Sequence, residues 1–377
     1  MPSKTPTVGF VISDLGHGGA QKQMALLAAA LPPRIATRVY VMSSIDEPHG
    51  HTLRARGIPV ATISRRSSAE VTRLTRLARA MSAHRIDIVH GFLDAANIYA
   101  FLAGRILGKP TVLSLRNERL TVSGVRARVL QTMLRRADAV TVNSEAGRAL
   151  LVGGMRVDAA RIARVPNIAS VPARTEAAPP EPSPPLVGCV GRLVDQKRFD
   201  LVLRAFPRVR DAVPGARLEI VGDGPLRDSL RALARSLGIE AAVVFAGAVD
   251  SAATRIERMS CLVLVSEFEG LPNAALEAMG FGVPVVASPV GDVPSIVIDG
   301  STGVIVRDTA PEPLAAAIVR GLTDNALRAR ARVEGPRLLR ERFSPEAALA
   351  VLVPLYERLS KRTGAAACEA TTPVLGE

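Results

Sequence analysis

Two patterns alternate along most of the chain. Short runs that are mostly apolar and often β-branched, Val8–Ile12, Arg38–Met42, Ile86–His90, Thr111–Leu115 and Ala139–Val142, are separated by longer amphipathic stretches rich in Ala, Leu and Arg. The theme recurs in Leu186–Val190, Arg217–Val221, Ala242–Phe245, Cys261–Ser266 and Pro284–Ala287. A strand covered on both faces needs no polar alternation, so such runs predict a parallel sheet sandwiched between helices. Strand–helix alternation twice over predicts two doubly wound α/β domains. Between the two series lies VPARTEAAPPEPSPP, residues 171–185. Proline fixes φ and removes amide donors, which suits a linker and neither a helix nor a central strand. The expected organisation is therefore a first domain over 1–170, a linker over 171–185, a second domain over 186–345, a C-terminal helix over 346–362 packing back on the first domain, and a disordered tail over 363–377. Ligands of doubly wound sheets sit at the carboxyl ends of strands, so the loops after the strands are where the chemistry is expected.

Composition narrows the partners. The 377 residues allow a full core in each of two domains. Aromatic residues make up 3% and Trp is absent. Stacking-based binding of single-stranded nucleic acid needs aromatic platforms, so no nucleic-acid partner is expected. The net charge of +13 is one-sided: residues 1–170 hold 24 Lys/Arg against 10 Asp/Glu, whereas 171–377 hold 24 against 25. Two readings stand: a basic surface for an anionic partner, or an Arg-rich composition without a role. Cys189, Cys261 and Cys368 have neither metal-ligand spacing nor pairing logic, and the first two lie in strand-like runs as core residues, which fits a reducing compartment. The apolar run Val8–Ile12 is shorter than a signal-peptide core, and no stretch of about 18 apolar residues occurs. A cytoplasmic location is the expectation.

Four segments carry candidate chemistry. The first is FEGLPNAALEAMGFGVPVVAS, Phe268–Ser288. Pro272 suits the first turn of a helix and Gly280 its end, which puts Glu269 in the loop before that helix and Glu277 inside it. A helix N-terminus offers free amides and a partial positive charge, a ready site for a diphosphate. Two carboxylates beside it can accept hydrogen bonds from sugar and ribose hydroxyls, though two glutamates at this spacing are, taken alone, a common accident. The second segment is GCVGRLVDQKRFDLVLRAF, Gly188–Phe206, where Arg192 and Lys197 flank a strand–turn–helix step and can neutralise a leaving diphosphate. No Gly-Lys-Ser/Thr follows, so it is not a Walker A loop. The third is SDLGHGGAQKQMALLAAAL, Ser13–Leu31, where Gly18 and Gly19 close a turn and open a helix. The fourth is DIVHGF, with His90 at the end of a β-branched run; a lone His there is as readily a hydrogen-bonded structural residue as a functional one.

Taken together and in this order, these residues resemble the retaining glycosyltransferases of family 4, also called glycosyl transferases group 1. The resemblance runs from about Thr7 to about Leu359, and EGLPNAALEAMGFGVPVVAS, GRLVDQK and LEIVGDGP carry it. It implies a GT-B fold, two Rossmann-like doubly wound parallel-sheet domains facing across a cleft. It also implies roles. Glu277 matches the residue that grips the donor ribose, and Glu269 the one that contacts hydroxyls of the transferred sugar. Arg192 and Lys197 match the diphosphate-binding pair. His90 matches a first-domain His beside the donor sugar, and Gly18 and Gly19 match the glycine loop near diphosphate and acceptor. Gly222 in VGDGP matches a turn lining the cleft, and Gly270 and Leu271 belong to the donor-binding block. Two departures are visible: Pro166-Asn167-Ile168 stands where the family has Pro-Asn-Gly, and Ser295 stands where it often has Glu.

The resemblance implies retention of configuration, with a nucleotide-sugar donor as co-substrate and a glycan or lipid-linked acceptor in bacterial surface-polysaccharide or glycolipid synthesis. No Asp-x-Asp triplet occurs, so no metal is expected, and Arg192, Lys197 and helix amides are expected to carry the diphosphate. The acceptor is expected on the basic first domain. There, RRSSAEVTRLTRLARAMSAHR sets Val71, Leu74, Leu77 and Met81 on one helical stripe with Arg73, Arg76 and Arg79 off it, and GVRARVLQTMLRRA adds cations. The stripe reads first as a core-facing helix with a solvated basic back, and second as a peripheral contact with anionic membrane. A nucleotide-sugar epimerase of the same fold and a non-catalytic sugar-nucleotide-binding protein are the rival readings.

Overall fold

The computed structural model describes residues 5–66, 72–116, 120, 122–169, 184–249 and 251–369, with backbone alone from 363 onward. Val71 and nearly all of the expected linker lie outside the described residues. The chain divides into two units, Met1–Ile168 with Pro345–Glu377, and Ala169–Ser344.

The first unit holds seven strands: β1 (Thr7–Ile12), β2 (Ala36–Val41), β3 (Val60–Thr62), β4 (Ile88–Phe92), β5 (Thr111–Leu115), β6 (Ala139–Val142) and β7 (Ile162–Arg164). All pair in parallel, in the order β3-β2-β1-β4-β5-β6-β7. The second unit holds β8 (Leu186–Val190), β9 (Arg217–Val221), β10 (Val243–Gly247), β11 (Cys261–Leu264), β12 (Val285–Ala287) and β13 (Gly303–Ile305), also parallel, in the order β10-β9-β8-β11-β12-β13. Each sheet thus starts at an inner strand, winds outward one way, then returns and winds the other way. The reversal leaves a switch point between β1 and β4 in one sheet and between β8 and β11 in the other, where adjacent loops diverge and open a crevice.

Central strands are buried throughout, as their unbroken apolar runs require: β4 and β5 have no exposed residue. Successive side chains go to opposite faces. Phe10 and Ile12 pack in one core cluster of the first unit and Val11 in the other. The helix Pro345–Glu369 belongs to this unit. It covers one face of the sheet with Ala348, Leu352, Leu355, Tyr356 and Leu359, a stripe at helical spacing. Each such large side chain contributes about 1.5–3 kcal/mol of transfer free energy.

Three strands lie outside the sequence-based expectation, β3, β7 and β13. Each has three residues and occupies a sheet edge, too short for its pattern to stand out. One boundary matters for function: the strand expected over Ile86–His90 runs instead from Ile88 to Phe92. His90 is therefore mid-strand.

Candidate functional site

The second unit places Arg192, Lys197 and Glu269 in the loops that follow β8 and β11, at its switch point. β8 ends at Val190, and the chain enters Gly191 at φ 155°; β9 ends at Val221 and enters Gly222 at φ 135°. The two turns touch backbone to backbone, since a Cβ on Gly222 would lie 2.0 Å from the Gly191 carbonyl oxygen. Only glycine meets both the dihedral and the contact. The Gly191 amide donates to the Val221 carbonyl and the Leu193 amide to the Asp223 carbonyl, each at 3.0 Å. The following turn, Asp195–Lys197, brings the Lys197 stem over Gly191. Gly222 thus sits under the loop that carries Arg192 and Lys197.

The loop after β8 is bound to the loop after β11 at three points. Lys197 Nζ donates to Glu269 Oε1 at 2.5 Å, an ion pair. The Gln196 side-chain amide donates to the Phe268 carbonyl at 2.8 Å, and the Glu267 amide donates to the Gln196 carbonyl at 2.8 Å. Ser266 Oγ adds a 2.7 Å hydrogen bond to the same Glu269 oxygen. Glu269 is only 8% exposed. Burying a carboxylate is costly unless a cation and hydrogen-bond donors hold it, as Lys197 and Ser266 do here. Arg192 is exposed, and its guanidinium has no hydrogen-bond or ion-pair partner among the described residues.

The helix after this loop spans Asn273–Gly280. Pro272 is its N-cap, in extended conformation and without a side-chain cap, and no acid lies in the first turn. No acidic side chain in that turn offsets the positive end of the helix dipole. Glu277 is its fifth residue and is 6% exposed. The Gly270 carbonyl accepts from the Asp292 amide at 3.0 Å, which anchors the loop, and the Leu271 side chain is buried in an apolar cluster with Leu276 and Val293. Ser295 donates to the Asp292 carbonyl at 2.8 Å.

In the first unit, Gly18 is the N-cap of the helix Gly19–Ala30, which follows the loop after β1. Asp14 braces that loop, accepting from the Gly16 amide at 3.1 Å and the Gln21 side chain at 2.9 Å. His90, matched by resemblance to a residue beside the donor sugar, lies within β4. It is 0% exposed, with Nδ1 2.6 Å from the Tyr356 hydroxyl and Nε2 2.9 Å from Ser114 Oγ. Its ring stacks on Phe10 at 5.3 Å between centroids. Burial first, and the Arg116 charge second, hold its pKa well below the usual value. The ring is a buried residue of the sheet, because β4 runs two residues beyond it. The arginines of the helix Arg73–Ala83 also depart from expectation. Arg73 is buried, donating to the Ile63 carbonyl at 2.9 Å, and Arg76 donates to the Ser64 carbonyl. Of the three, Arg79 alone is exposed.

Polar residues that sequence reasoning did not single out cluster after β5, β6 and β7. Arg116, Asn143 and Asn167 are all buried, with Asn167 Oδ1 accepting from Asn143 Nδ2 at 3.2 Å and Arg116 Nη1 at 3.4 Å. Arg in LSLRN and Asn in TVNS and VPN follow apolar runs directly, a signal that was present. A cavity of about 490 Å³ lies at the opposite, amino-terminal edge of this sheet, lined among others by Thr7, Ala36, Arg38 and His84. It contains none of the sequence-predicted site residues. Among the described residues no group of three or more His, Cys, Asp or Glu has the arrangement of a metal site, and no helix is long and apolar enough to cross a membrane.

The family described as "Glycosyl transferases group 1" matches residues 184–324, and "Glycosyltransferase Family 4" matches residues 17–171. The GDP-mannose-dependent alpha-(1-6)-phosphatidylinositol monomannoside mannosyltransferase of Mycolicibacterium smegmatis is 36% identical over 149 residues, 37% of this chain and 39% of that protein. The lipopolysaccharide core biosynthesis glycosyltransferase LpsE of Rhizobium meliloti is 35% identical over 163 residues, 43% of this chain and 47% of that protein. The matched regions therefore span less than half the length of these relatives. The crystal structure of Anabaena HepE in complex with UDP and glucose superimposes with a TM-score of 0.79 over 94% of this chain and 99% of that one, at 20% identity, a likeness of fold.

Proposed function

The chain belongs to the group 1 glycosyltransferases of glycosyltransferase family 4 and has their GT-B fold, and from that premise we propose that it moves a sugar, with retention, from a nucleoside-diphosphate sugar bound on the second unit to a glycan or lipid-linked acceptor bound on the first. The observation that carries this reading is the Lys197–Glu269 pair at the switch point between β8 and β11. It fixes a cation and a carboxylate at the carboxyl edge, where such sheets hold nucleotides.

Each residue then has a task that its position suits. Lys197 and the exposed Arg192, with the uncapped start of the helix Asn273–Gly280, meet the diphosphate and stabilise the charge it gains as the glycosidic bond breaks. Glu269, held by Lys197 and Ser266, accepts from hydroxyls of the departing sugar. Glu277 accepts from the ribose. Gly18 and Gly19 let the loop after β1 approach the substrates. With no side chain assigned as a nucleophile, retention is ascribed to front-face attack. The leaving phosphate oxygen takes the acceptor proton while the sugar carbon develops positive charge, and the protein contributes positioning and electrostatics.

Polysaccharide, lipopolysaccharide or glycolipid synthesis is the proposed setting, supported by the functions for which these relatives are named. Contact with an anionic membrane is proposed for the helix Gly124–Arg136, where Val125 is 73% exposed beside exposed Arg126 and Arg128. Salt-sensitive co-sedimentation with acidic vesicles checks this, and its absence removes the contact. The transferase reading is tested with a panel of UDP-, GDP- and ADP-sugars, following nucleoside diphosphate release with and without candidate acceptors. Acceptor-dependent release is expected; an epimerised donor released without acceptor overturns it.

A further inference from the structure

Arg116 follows β5 at the carboxyl edge of the first sheet and is 8% exposed. Its guanidinium lies over the Phe92 ring at 4.9 Å, and Nη1 reaches Asn167 Oδ1 at 3.4 Å. Nε and Nη2 are fully buried and have no hydrogen-bond partner among the described residues. No carboxylate pairs with it among the described residues. Desolvation pulls its pKa down to about 10, with the nearby Tyr356 hydroxyl a smaller opposing influence. A buried guanidinium without a counterion is an unfavourable state for the bare protein.

The identity of the two unpartnered atoms is informative. Nε and Nη2 lie on one edge of the guanidinium and point two N–H groups the same way. That is the fork that matches two oxygens of a carboxylate or phosphate. The third nitrogen is already engaged with Asn167, which fixes the plane of the fork. The surroundings repeat the placement: Phe92 ends β4, Asn143 follows β6 and Asn167 follows β7, all on the edge where doubly wound sheets bind ligands. Leu93, directly after β4, is held at φ 73°, ψ 149°, a conformation costly for a branched side chain.

We propose that Arg116, braced by Asn167 and Asn143, is an oxyanion-binding subsite of the first unit that takes the phosphate or carboxylate of the acceptor; the word acceptor rests on the transferase reading above, the anion site does not. The acceptor is thereby a charged molecule, and the Arg116 fork sets its orientation by two parallel hydrogen bonds.

The test is thermal unfolding of the full chain carrying R192A and K197A, so that donor-side cations do not respond, titrated with inorganic phosphate in one arm and glucuronate in the other, against chloride at equal ionic strength. A saturable rise in Tm above chloride is expected in at least one arm, and the stronger arm names the ligand chemistry. Adding R116Q abolishes that rise and leaves the ligand-free Tm equal or higher, because a buried charge is gone. R116K keeps the charge without the fork and raises the half-saturating concentration roughly tenfold or more; it decides the matter if R116Q does not fold. No response in either arm, or a response that survives R116Q and R116K, overturns the subsite. Binding of UDP, GDP and ADP to the unsubstituted chain is read in parallel. If none of the three binds while phosphate acts through Arg116, the transferase reading falls and the anion site stands.

Discussion

His90 and Tyr356, 266 positions apart in sequence, meet at 2.6 Å between the imidazole Nδ1 and the phenolic oxygen. With Ser114 Oγ at 2.9 Å from Nε2, both ring nitrogens are satisfied inside the first unit. Tyr356 reaches this place from the helix Pro345–Glu369, so the polar contact ties the last helix to the central strand β4.

This pair makes stability pH-dependent in a direction that can be worked out. The folded pKa of His90 lies well below 6.5, with burial the larger cause. Below about pH 6.5 the unfolded chain therefore binds a proton that the folded chain excludes. The stabilisation is complete above the unfolded value and is lost as pH falls through it toward the folded pKa, at up to about 1.4 kcal/mol per pH unit. Denaturant unfolding of wild type and H90Q between about pH 5 and 8 should show a steeper acid loss in wild type. Parallel curves would remove His90 as the source. Y356F should cost about 1–3 kcal/mol by leaving a ring nitrogen unsatisfied.

The same residue shows where sequence reading stops. Central strands such as Thr111–Leu115 and Leu186–Val190 were legible to the residue, because burial on both faces demands unbroken apolar runs. The edge strands β3, β7 and β13 were not, since three residues carry no period. The second-unit charges were legible because motif and helix signals coincide around Glu269 and Lys197. The burial of His90 was not legible because it depends on where β4 ends, and strand boundaries are set by neighbours rather than by local composition. Arg116 was hidden for another reason: an arginine after a strand looks solvated in sequence, and its burial depends on Phe92 and Asn167, distant in the chain. The departure at Ile168 also resolves in three dimensions. Its amide donates to Gln23 Oε1 at 2.7 Å and its carbonyl accepts from Gln23 Nε2 at 2.9 Å, while the side chain joins the core.

Removing Lys197 should do more than remove a charge. K197A strips the cation from a carboxylate that is 8% exposed, so Glu269 loses its anchor as the diphosphate loses its partner. A fall of roughly 10²–10³ in kcat is expected at saturating donor, the range for losing one preorganised stabilising group. E269Q, which keeps the Ser266 contact and loses the ion pair, should fall similarly. Circular dichroism would confirm that both remain folded, and EDTA should leave wild-type rates unchanged. Wild-type turnover in either variant removes the pair from the site.

Gly222 tests whether the loop needs its glycine contact. G222A places a Cβ 2.0 Å from the Gly191 carbonyl oxygen at φ 135°, so both the clash and the dihedral oppose it. G238A is the control: φ there is 68° with nothing within 4 Å of the added Cβ, leaving only a left-handed penalty of about 1–2 kcal/mol. G222A should lose more stability than G238A and also raise the donor KM, because the displaced turn carries Arg192 and Lys197. Equal losses with unchanged KM would show that the contact does not position the site.

Glu277 separates binding from chemistry. It is buried on the helix Asn273–Gly280, eight residues beyond Glu269, and is assigned to the ribose rather than to the reacting sugar. Hydrogen bonds from hydroxyls to a charged carboxylate are worth about 1.5–3 kcal/mol, so E277A should raise the donor KM roughly 10- to 100-fold. The effect on kcat should be smaller, since a ribose contact serves ground and transition states alike. The sharper measurement uses donors lacking the ribose 2′- or 3′-hydroxyl. Wild type should discriminate against at least one of them, and E277A should not. Undiminished discrimination in E277A would place the ribose elsewhere and leave Glu277 a buried structural acid.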